Sequence, residues 1–480
     1  MAHDDLLSGQ VVLCVDLDGT LIHTDLLYES LLALLRQSPL NFLRVPFWLL
    51  RGRAHLKQQI AARVQPDVQH LPYNRALLDQ LAQERAAGRR LALVTGSPMA
   101  FAQAVAAHLG IFDEVLATDD QINLTGRRKA EKLVQRYGAR GYDYAGDSVQ
   151  DLPVWAGARE GWAVNVRPRV LRAASTHTRF AHRIDAPPTS PLAYVRALRL
   201  HQWLKNVLVF VPLLAAHRSG DPELLLKAVL MFVAFGLCAS SGYVLNDLLD
   251  LAADRAHPRK RRRPFASGTL RVVHGVIVIP LLLAAALGLA WWRIGVMAVA
   301  ALLIYYVMTL AYSLVLKRLT TVDVLTLAGL YTLRILAGSA ATLIAPSFWL
   351  LAFSMFLFLS LAVIKRYSEV LMVHAQGEGR LRGRAYSTED RVILPMMGIS
   401  SGFMSVLVLA LYVHTAPVRE LYRQPQMISL LCPLLLYWIC RAWFKAHRGE
   451  MHDDPLVFAT TDPVSWAVAG LSVAVLLLAA

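Results

Sequence analysis

The sequence lacks the cysteine patterns that mark disulfide-bonded or zinc-binding proteins. Its four cysteines, Cys14, Cys238, Cys432 and Cys440, show no CxxC spacing, and three of them lie in apolar runs. Cysteines in such surroundings are usually small buried hydrophobic residues. The first ten residues carry acidic side chains, and the short apolar run after them ends at Asp16. We therefore expect no secretory signal peptide and a cytosolic N-terminal region.

Charged residues are also scarce, and acidic ones are the scarcer kind. Only 17% of the residues are charged against 56% that are hydrophobic, and 49 Lys and Arg residues outnumber 34 Asp and Glu residues. The basic residues gather in short loops between apolar segments, without the interleaved aromatic residues of a nucleic-acid surface. This pattern is typical of orientation signals and of contacts with anionic lipid. The sequence therefore predicts a membrane as partner and no nucleic acid.

The composition changes sharply near residue 190. Before it the chain reads as a soluble domain, whereas nearly everything after Leu198 consists of apolar runs of membrane-spanning length. The stretch DAPPTSP, residues 185–191, has turn formers and no periodicity, which indicates a linker. The predicted boundaries are 1–185 for the soluble domain, 186–197 for the linker and 198–480 for the membrane domain.

Short buried-strand patterns in the first domain end in polar residues. VVLCV is followed by DLDGT, LALV by TGS, and a further short run by GDSVQD, while a lysine in GRRKAEKL opens a helix pattern. Open α/β sheets place their chemistry at the carboxyl ends of strands. The spacing therefore predicts one sheet that gathers carboxylates, a hydroxyl and a lysine at its edge.

These four motifs, in this order, resemble the haloacid dehalogenase (HAD) superfamily of phosphatases over the whole first domain. The resemblance implies an α/β Rossmannoid fold with a small helical cap, in which Asp16 is the nucleophile and Asp18 the general acid and base. A HAD fold kept as a structural or regulatory module is the alternative. The implied Mg²⁺ ligands are Asp16, Asp18, Asp147 and Asp151, and the implied phosphate-binding residues are Thr95, Ser97 and Lys129, with Lys132 as the substitute for Lys129.

The predicted cap lies between Asp25 and Arg90 and contains an unusual segment. LNFLRVPFWLLRGR, residues 40–53, is apolar, aromatic and basic, yet its apolar part is too short to span a bilayer. Such a segment either packs on neighbouring cap helices or rests on the membrane interface between basic flanks. The sequence leaves both interpretations open.

The second domain contains about nine apolar runs, which predict an all-α polytopic membrane bundle. Loops 247–271, 313–321, 364–392 and 441–463 hold 18 Lys and Arg residues, whereas the alternating loops hold only Arg218, Arg293, Arg419 and Arg423. The positive-inside rule then puts the basic loops in the cytosol beside the first domain, in a bacterial-type inner membrane, and nine spans leave the C-terminus outside. The runs lie near 204–217, 224–246, 271–290, 296–316, 322–344, 347–364, 393–414, 427–444 and 464–480.

The stretch from Ser240 to Gly268 turns from an apolar run into carboxylates and then into positive charge. Asn246, Asp250 and Asp254 recur every fourth residue and would share one face of a helix. Their oxygens suit a Mg²⁺ ion that carries a substrate diphosphate, and the basic residues that follow would pair with phosphate oxygens. The alternative is an acidic helix end before an orientation loop.

About nine spans with NDxxDxxxD after the second resemble the UbiA superfamily of intramembrane prenyltransferases over the whole second domain. Where that family has a second acidic motif, this sequence reads IKRYSE at 364–369, with two cations and one glutamate. Together with RLHQWLKNVLVF at 199–210, this departure looks most like the decaprenyl-phosphate phosphoribosyltransferase branch. Besides the Mg²⁺ ligands Asn246, Asp250 and Asp254, the implied substrate-binding residues are Lys205, Asn206, Asp247, Lys260, Arg262, Arg263, Tyr312, Lys317, Asp323, Arg334, Lys365, Arg366 and Glu369.

The two resemblances together predict one bifunctional enzyme of the cell envelope. The transferase would move 5-phosphoribose from phosphoribosyl diphosphate to a polyprenyl phosphate, and the HAD domain would remove the 5-phosphate. One alternative is a prenyltransferase that uses a polyprenyl diphosphate and an aromatic or other small acceptor, against which the two cations in IKRYSE count. The other is a non-catalytic lipid carrier or scaffold with a regulatory HAD module, which the clustered acids disfavour. The oligomeric state is not encoded in any of these patterns.

Overall fold

The chain forms two compact units. The structure, a computed structural model, describes residues 11–119, 122–185, 190–377, 379–381, 384–415, 418, 422–451 and 455–479. One unit comprises Met1–Leu198 and Tyr243–Ile279, and the other comprises Arg199–Gly242 and Pro280–Ala480. The Asp-rich segment, which we define as residues 246–268, therefore packs with the first unit, although it belongs by sequence to the predicted membrane domain.

A six-stranded sheet in the order β3-β2-β1-β4-β5-β6 forms the centre of the first unit. Every neighbouring pair of strands is parallel, which confirms the predicted α/β class. The central strand β1 has β2 and β4 as neighbours, so the three strands that precede predicted site residues end side by side. The strands are β1 (Val12–Val15), β2 (Leu91–Pro98), β3 (Glu114–Thr118), β4 (Tyr142–Gly146), β5 (Gly161–Val164) and β6 (Phe180–Ile184).

Helices α1 to α4 follow β1 and form a small cap. They share an apolar core that includes Leu34, Trp48 and Leu56. The predicted cap, Asp25 to Arg90, was too long, because α5 packs Leu77 and Leu81 into the core of the sheet. The last helix, α10, occupies the second part of the predicted linker 186–197, whose residues 186–189 lie outside the described residues. The helices are α1 (Leu26–Gln37), α2 (Pro39–Phe42), α3 (Val45–Leu50), α4 (Arg53–Ala61), α5 (Arg75–Ala86), α6 (Met99–Leu109), α7 (Arg127–Tyr137), α8 (Leu152–Gly157), α9 (Pro168–Ala174) and α10 (Pro191–Leu198).

All nine predicted apolar runs are helical. Among the described residues, seven helices are long and apolar enough to cross a membrane, while the first and last runs form the shorter helices Leu200–Ala215 and Pro463–Ala479. Of the loop cations counted above, Arg382 and Arg419 lie outside the described residues. The α-helices are α11 (Val211–Ala215), α12 (Pro222–Leu249), α13 (Leu251–Ala256), α14 (Val272–Arg293), α15 (Val296–Leu314), α16 (Val322–Thr342), α17 (Phe348–Ala375), α18 (Ile393–Val413), α19 (Leu431–His447), α20 (Pro455–Thr461) and α21 (Pro463–Ala479), and the 3₁₀ turns include Leu200–Phe210, Lys260–Arg262 and Pro425–Leu430.

The core of the second unit contains buried charges among apolar side chains. Asp323 and Arg334 on α16 and Arg366 on α17 are all buried. Charges are costly inside membrane proteins and usually have a partner and a function. These helices therefore carry the candidate site of the second unit.

Candidate active sites

Three carboxylates converge at the carboxyl edge of the sheet in the first unit. Asp16 follows β1, Asp147 follows β4, and Asp151 lies on the next turn; one ligand oxygen of each lies within 4.8 Å of the others, and all three side chains are buried. Buried anions this close repel one another, so the group fits a hard divalent cation such as Mg²⁺. Within the described part of the chain, no other three Asp, Glu, His or Cys side chains come so close.

Lys129, at the start of α7, binds directly to this group. Its Nζ donates to Asp16 Oδ1 at 2.8 Å and to the Tyr144 hydroxyl at 2.9 Å. The Tyr144 hydroxyl donates in turn to Asp151 Oδ1 at 2.7 Å. Burial alone would lower the pKa of Lys129, but Asp16 and Asp151 outweigh burial and raise it. The lysine therefore stays charged and balances the predicted nucleophile.

The carboxylates hold their protons more tightly than ordinary aspartates. Burial raises the pKa of Asp16 to about 7 and that of Asp147 to about 8, and repulsion from Asp151 adds to both shifts. Lys129 opposes the shift at Asp16, and Arg271 opposes the shift at Asp147. A cation that binds here must therefore displace protons near neutral pH.

Asp18 lies next to the carboxylate group without belonging to it. Its Oδ1 accepts a hydrogen bond from the Leu26 backbone at 2.8 Å, and its Oδ2 accepts one from Ser97 Oγ at 2.6 Å. Burial raises the pKa of Asp18 to about 6. This value suits a group that both donates and accepts a proton. Thr95 Oγ1 accepts from the Ser97 backbone at 3.0 Å, so both predicted hydroxyls lie on the same strand end.

Two cations reach this centre that the sequence analysis missed. Lys57 of the cap helix α4 is buried and donates to Gly96 O at 2.5 Å and to Asn123 Oδ1 at 2.8 Å. Arg271, just after the Asp-rich segment, places Nη2 3.5 Å from Asp147 Oδ2. The one available signal for Lys57 was its position on the apolar face of a cap helix. No sequence signal links Arg271 to an aspartate 124 positions earlier.

The Asp-rich segment continues the hydrogen-bond pattern of α12, as its spacing predicts. Asp250 N donates to Asn246 O at 2.9 Å, and Asp254 N donates to Asp250 O at 2.8 Å. Arg263 Nη1 bridges Asp247 Oδ1 at 3.0 Å and Asp254 Oδ2 at 2.6 Å. The helical spacing predicted for Asn246, Asp250 and Asp254 is therefore present, and Arg263 lies beside one of the three, Asp254. The predicted phosphate ligands Lys260 and Arg262 lie on an exposed turn.

Arginines join the Asp-rich segment to the cap helix α1. Arg255 forms a bidentate pair with Glu29 at 2.8 and 2.5 Å, and Arg36 Nη2 lies 3.3 Å from Asp250 Oδ1. Arg255 also donates to Ala266 O at 3.0 Å. This first basic residue of the segment therefore contacts protein carboxylate and carbonyl groups.

Four predicted residues of the second unit meet in one buried ion cluster. Asp323 Oδ1 accepts from Arg366 Nη2 at 3.2 Å and from the Tyr312 hydroxyl at 2.8 Å, and Arg366 also forms an ion pair with Glu369. Arg384 also belongs to the cluster: its Nη1 lies 3.0 Å from Asp323 Oδ1, and its Nε lies 3.5 Å from Glu369 Oε2. The sequence analysis missed this residue because its loop has no periodicity. Arg366 has no exposed surface. Its first role here is therefore to neutralise acids.

A second group of donors surrounds Arg334 on α16. Arg334 Nε donates to Asn206 Oδ1 at 3.2 Å, and its guanidinium lies 5.2 Å from the Tyr331 ring. Lys205 Nζ lies 5.6 Å from the same ring. Asn206 Nδ2 is buried, and no described residue accepts its hydrogen bond. The remaining predicted cations are Lys317, which is buried, and Lys365, which is half-buried.

Known proteins match both parts of the chain. The model of the UbiA prenyltransferase family matches residues 207–460, and that of haloacid dehalogenase-like hydrolases matches residues 13–155. Uncharacterized protein y4nM of Sinorhizobium fredii is 36% identical over 97% of this chain and 90% of its own length. Decaprenyl-phosphate phosphoribosyltransferase of Mycobacterium tuberculosis is 36% identical over 40% of this chain and 66% of its own. A UbiA homolog from Archaeoglobus fulgidus, solved with GPP and Mg²⁺, covers 59% of this chain and 99% of its own at 17% identity and a TM-score of 0.45.

The two family matches agree with the two sets of motifs and with the apolar helices. The UbiA match alone covers more than half of the chain. The hydrolase match contains Asp16, Asp18, Thr95, Lys129 and Asp147. The chain is therefore an integral membrane protein that belongs to the UbiA prenyltransferase family and carries a haloacid dehalogenase-like hydrolase domain.

Proposed function

We propose that this protein moves 5-phosphoribose from phosphoribosyl diphosphate to a polyprenyl phosphate, and that its hydrolase domain then removes the 5-phosphate from the lipid product. The observation that carries the proposal is the ion cluster of the second unit. Its two acids, Asp323 and Glu369, are already neutralised by Arg366 and Arg384. Acids that are already neutralised do not suit a second metal ion, which counts against a second metal-bound diphosphate. The proposal assigns the acceptor phosphate to the neighbouring Lys365, which adds positive charge to the balanced cluster. The partial likeness to decaprenyl-phosphate phosphoribosyltransferase supports the same conclusion.

In the proposed transfer, the lipid phosphate oxygen attacks the anomeric carbon while diphosphate leaves, so no covalent enzyme intermediate forms. Mg²⁺ held by Asn246, Asp250 and Asp254 would neutralise the leaving diphosphate. Arg263 already touches this row and supplies a further positive charge to the phosphates. Catalysis then consists of charge stabilisation and positioning. The cations assigned to the substrate phosphates are Lys205, Lys260, Arg262, Lys317 and Lys365.

In the proposed hydrolysis, Asp16 attacks the phosphorus of the ribose 5-phosphate and the ester P–O bond breaks. Asp18 gives its proton to the departing ribose oxygen, then takes a proton from the water that attacks the aspartyl-phosphate. Ser97 and the Leu26 backbone hold the Asp18 carboxyl in place for both transfers. Lys129 offsets negative charge on Asp16. Mg²⁺ in the carboxylate group would offset the charge of the transferred phosphoryl group.

The proposed location is a bacterial-type inner membrane, with the hydrolase domain in the cytosol, where phosphoribosyl diphosphate would be available. The proposal also assigns the ribosyl lipid to the cell envelope. The basic loops counted in the sequence support this orientation.

The deciding experiment incubates purified full-length protein with Mg²⁺, phosphoribosyl diphosphate and a polyprenyl phosphate, and weighs the lipids by mass spectrometry. We expect a ribosyl lipid without the 5-phosphate from the wild type and a phosphoribosyl lipid from Asp16→Asn. Asp79→Asn, an exposed aspartate on α5, is the matched control and should behave like the wild type. Unchanged polyprenyl phosphate in a preparation that consumes polyprenyl diphosphate would overturn the transferase proposal in favour of prenyl transfer.

A further inference from the structure

One face of the cap exposes an unusual amount of apolar surface. On the short helices α2 and α3 and the turn between them, Leu40, Leu43, Phe47 and Leu50 are 78%, 67%, 68% and 85% exposed. Contiguous exposed apolar side chains of this size usually mark an interaction surface. We call these four residues the cap patch.

Packing inside the cap does not account for the cap patch. Trp48, in the middle of the same stretch, is buried against Leu34, Leu56 and Ile60, and Arg63 lies 4.9 Å from its ring. The cap therefore takes its core residue from the opposite side of α3. The packing interpretation that the sequence left open explains Trp48 and leaves the patch unexplained.

The charges around the cap patch are of one sign. The sequence contains no acidic residue from Ser30 to Pro66, and the exposed side chains Arg44, Arg51 and Arg53 alternate with or flank the apolar ones. Apolar residues between arginines are characteristic of segments that lie in the interface of a bilayer with anionic headgroups. A basic surface also disfavours the docking of a second copy of the same face, because like charges would meet.

The cap patch is attached to the point where two membrane spans end. Arg36, at the end of α1, donates to Leu249 O at 3.2 Å, and Leu249 is the last residue of α12. Leu32 packs on an apolar cluster that includes Leu248 at the end of α12 and Val272 at the start of α14. Leu40 follows Arg36 by four residues, which is at most roughly 14 Å of extended chain. The patch is therefore held within reach of the bilayer surface.

We propose that the cap patch is a membrane-binding surface whose leucines and Phe47 insert into the lipid interface while Arg44 and Arg51 bind anionic headgroups. The cap also carries Lys57, which donates to Gly96 O between Thr95 and Ser97 of the hydrolase centre. A cap fixed on the membrane would keep that centre open to substrates that cannot leave the bilayer. This surface is independent of the proposed reactions, since it follows from exposure, charge and attachment alone.

The test places nitroxide spin labels on the full-length protein in lipid nanodiscs and measures their accessibility by electron paramagnetic resonance. Labels are introduced by Phe47→Cys and Leu50→Cys after Cys432→Ser and Cys440→Ser, since Cys14 and Cys238 are buried. We expect both labels to be relaxed by oxygen, which dissolves in lipid, and shielded from a water-soluble nickel chelate. Arg172→Cys, at an exposed site on α9, gives the aqueous reference, and Leu281→Cys, at an exposed site on α14, gives the lipid reference.

Two results would overturn the proposal. Nickel accessibility equal to that at Arg172→Cys would show that the patch faces water. Shielding from both oxygen and nickel would show that protein covers it, either this chain or a second copy. Neither result depends on enzymatic turnover, so failure of the proposed function would leave this inference standing, and the reverse also holds.

The lipid charge gives a second test of the same surface. In nanodiscs of phosphatidylcholine with phosphatidylglycerol, Arg44→Gln with Arg51→Gln should raise the nickel accessibility of the label at position 47 severalfold. In phosphatidylcholine alone the same pair should have a smaller effect, because neutral headgroups bind arginine less strongly. Equal effects in both lipids would contradict the role given to the arginines. Arg44, Phe47 and Arg51 are exposed, so their substitution should leave the fold unaffected.

Discussion

At the scale of single residues, the carboxylates of the hydrolase centre link metal binding to pH. The pKa values of Asp16 and Asp147 rise from 3.8 to about 7 and about 8. The folded metal-free protein therefore holds protons that the unfolded chain releases, so its stability should fall as pH rises between about pH 4 and about pH 8. Mg²⁺ displaces those protons and should restore the lost stability, most strongly at the alkaline end.

The first prediction follows from this linkage. The increase in melting temperature of the full-length protein on addition of Mg²⁺ should be larger at about pH 8 than at about pH 6. Asp147→Asn should remove most of that difference, whereas Asp250→Asn, in the Asp-rich segment, should leave it in place. Scanning fluorimetry in chelator and in Mg²⁺ measures all three proteins. An identical Mg²⁺ shift at both pH values would contradict the carboxylate site.

The second prediction concerns Arg271, whose Nη2 lies 3.5 Å from Asp147 and whose side chain is partly exposed. It is placed to bind a substrate phosphate at the edge of the hydrolase centre. Arg271→Ala should raise KM for a phosphorylated substrate about tenfold with little change in kcat, since one hydrogen bond to a charged group is worth about 1.5 kcal/mol. The control Arg172→Ala removes an exposed charge on α9 and should change neither constant. An unchanged KM would mean that Arg271 only neutralises Asp147.

Residues of the hydrolase centre were predictable where a local pattern announces them. Asp16, Asp18 and Asp147 each follow a short apolar strand, and the parallel order of the sheet brings strand ends together. Lys57 had one signal, its position on the apolar face of a cap helix, and Arg384 of the second unit had none. Both positions depend on how a cap helix and an irregular loop fold back. Such long-range packing leaves no periodicity in a single sequence.

At the scale of elements, the contact between the cap helix α1 and the Asp-rich segment includes one buried ion pair. Glu29 and Arg255 form two hydrogen bonds at 2.8 and 2.5 Å, and both side chains are largely buried. Removal of one partner leaves a charge in a poorly solvated place. The helical pattern of each element was visible in the sequence, whereas this pairing across 226 positions was not.

The third prediction tests that pair by a double-mutant cycle. Glu29→Gln and Arg255→Gln should each destabilise the protein by about 3 kcal/mol, and the double variant by clearly less than the sum, because each single change leaves the other charge unpaired. Chemical denaturation followed by fluorescence measures the free energies of unfolding. Arg218→Gln breaks the exposed pair with Asp221 and should have no measurable effect. Additive losses in the cycle would show that the two side chains act independently.

At the scale of the whole molecule, the change in composition near residue 190 and the apolar runs predicted the correct fold classes. The exact division of the chain into two units depends on packing. The segment Tyr243–Ile279 is membrane-domain sequence by motif, yet it packs with the first unit. The first and last apolar runs are helical but too short to meet the length of a full span. Hydropathy reports only how apolar a run of residues is. The length of the helix that forms there, and the elements on which it packs, depend on the rest of the fold.

The fourth prediction concerns why transferase and hydrolase share one chain. A lipid that leaves the first site is held near the second when the sites are tethered, which raises its effective concentration there. In proteoliposomes, the wild type should release ribosyl lipid without a lag and with little phosphoribosyl intermediate. Vesicles that contain Asp16→Asn and Asp250→Asn proteins together hold both activities on separate chains, so the intermediate should accumulate before it is consumed. Time courses by mass spectrometry compare the wild-type vesicles with the mixed vesicles at equal total activity. An equal lag before ribosyl lipid appears in both would show that the fusion gives no kinetic advantage within one membrane.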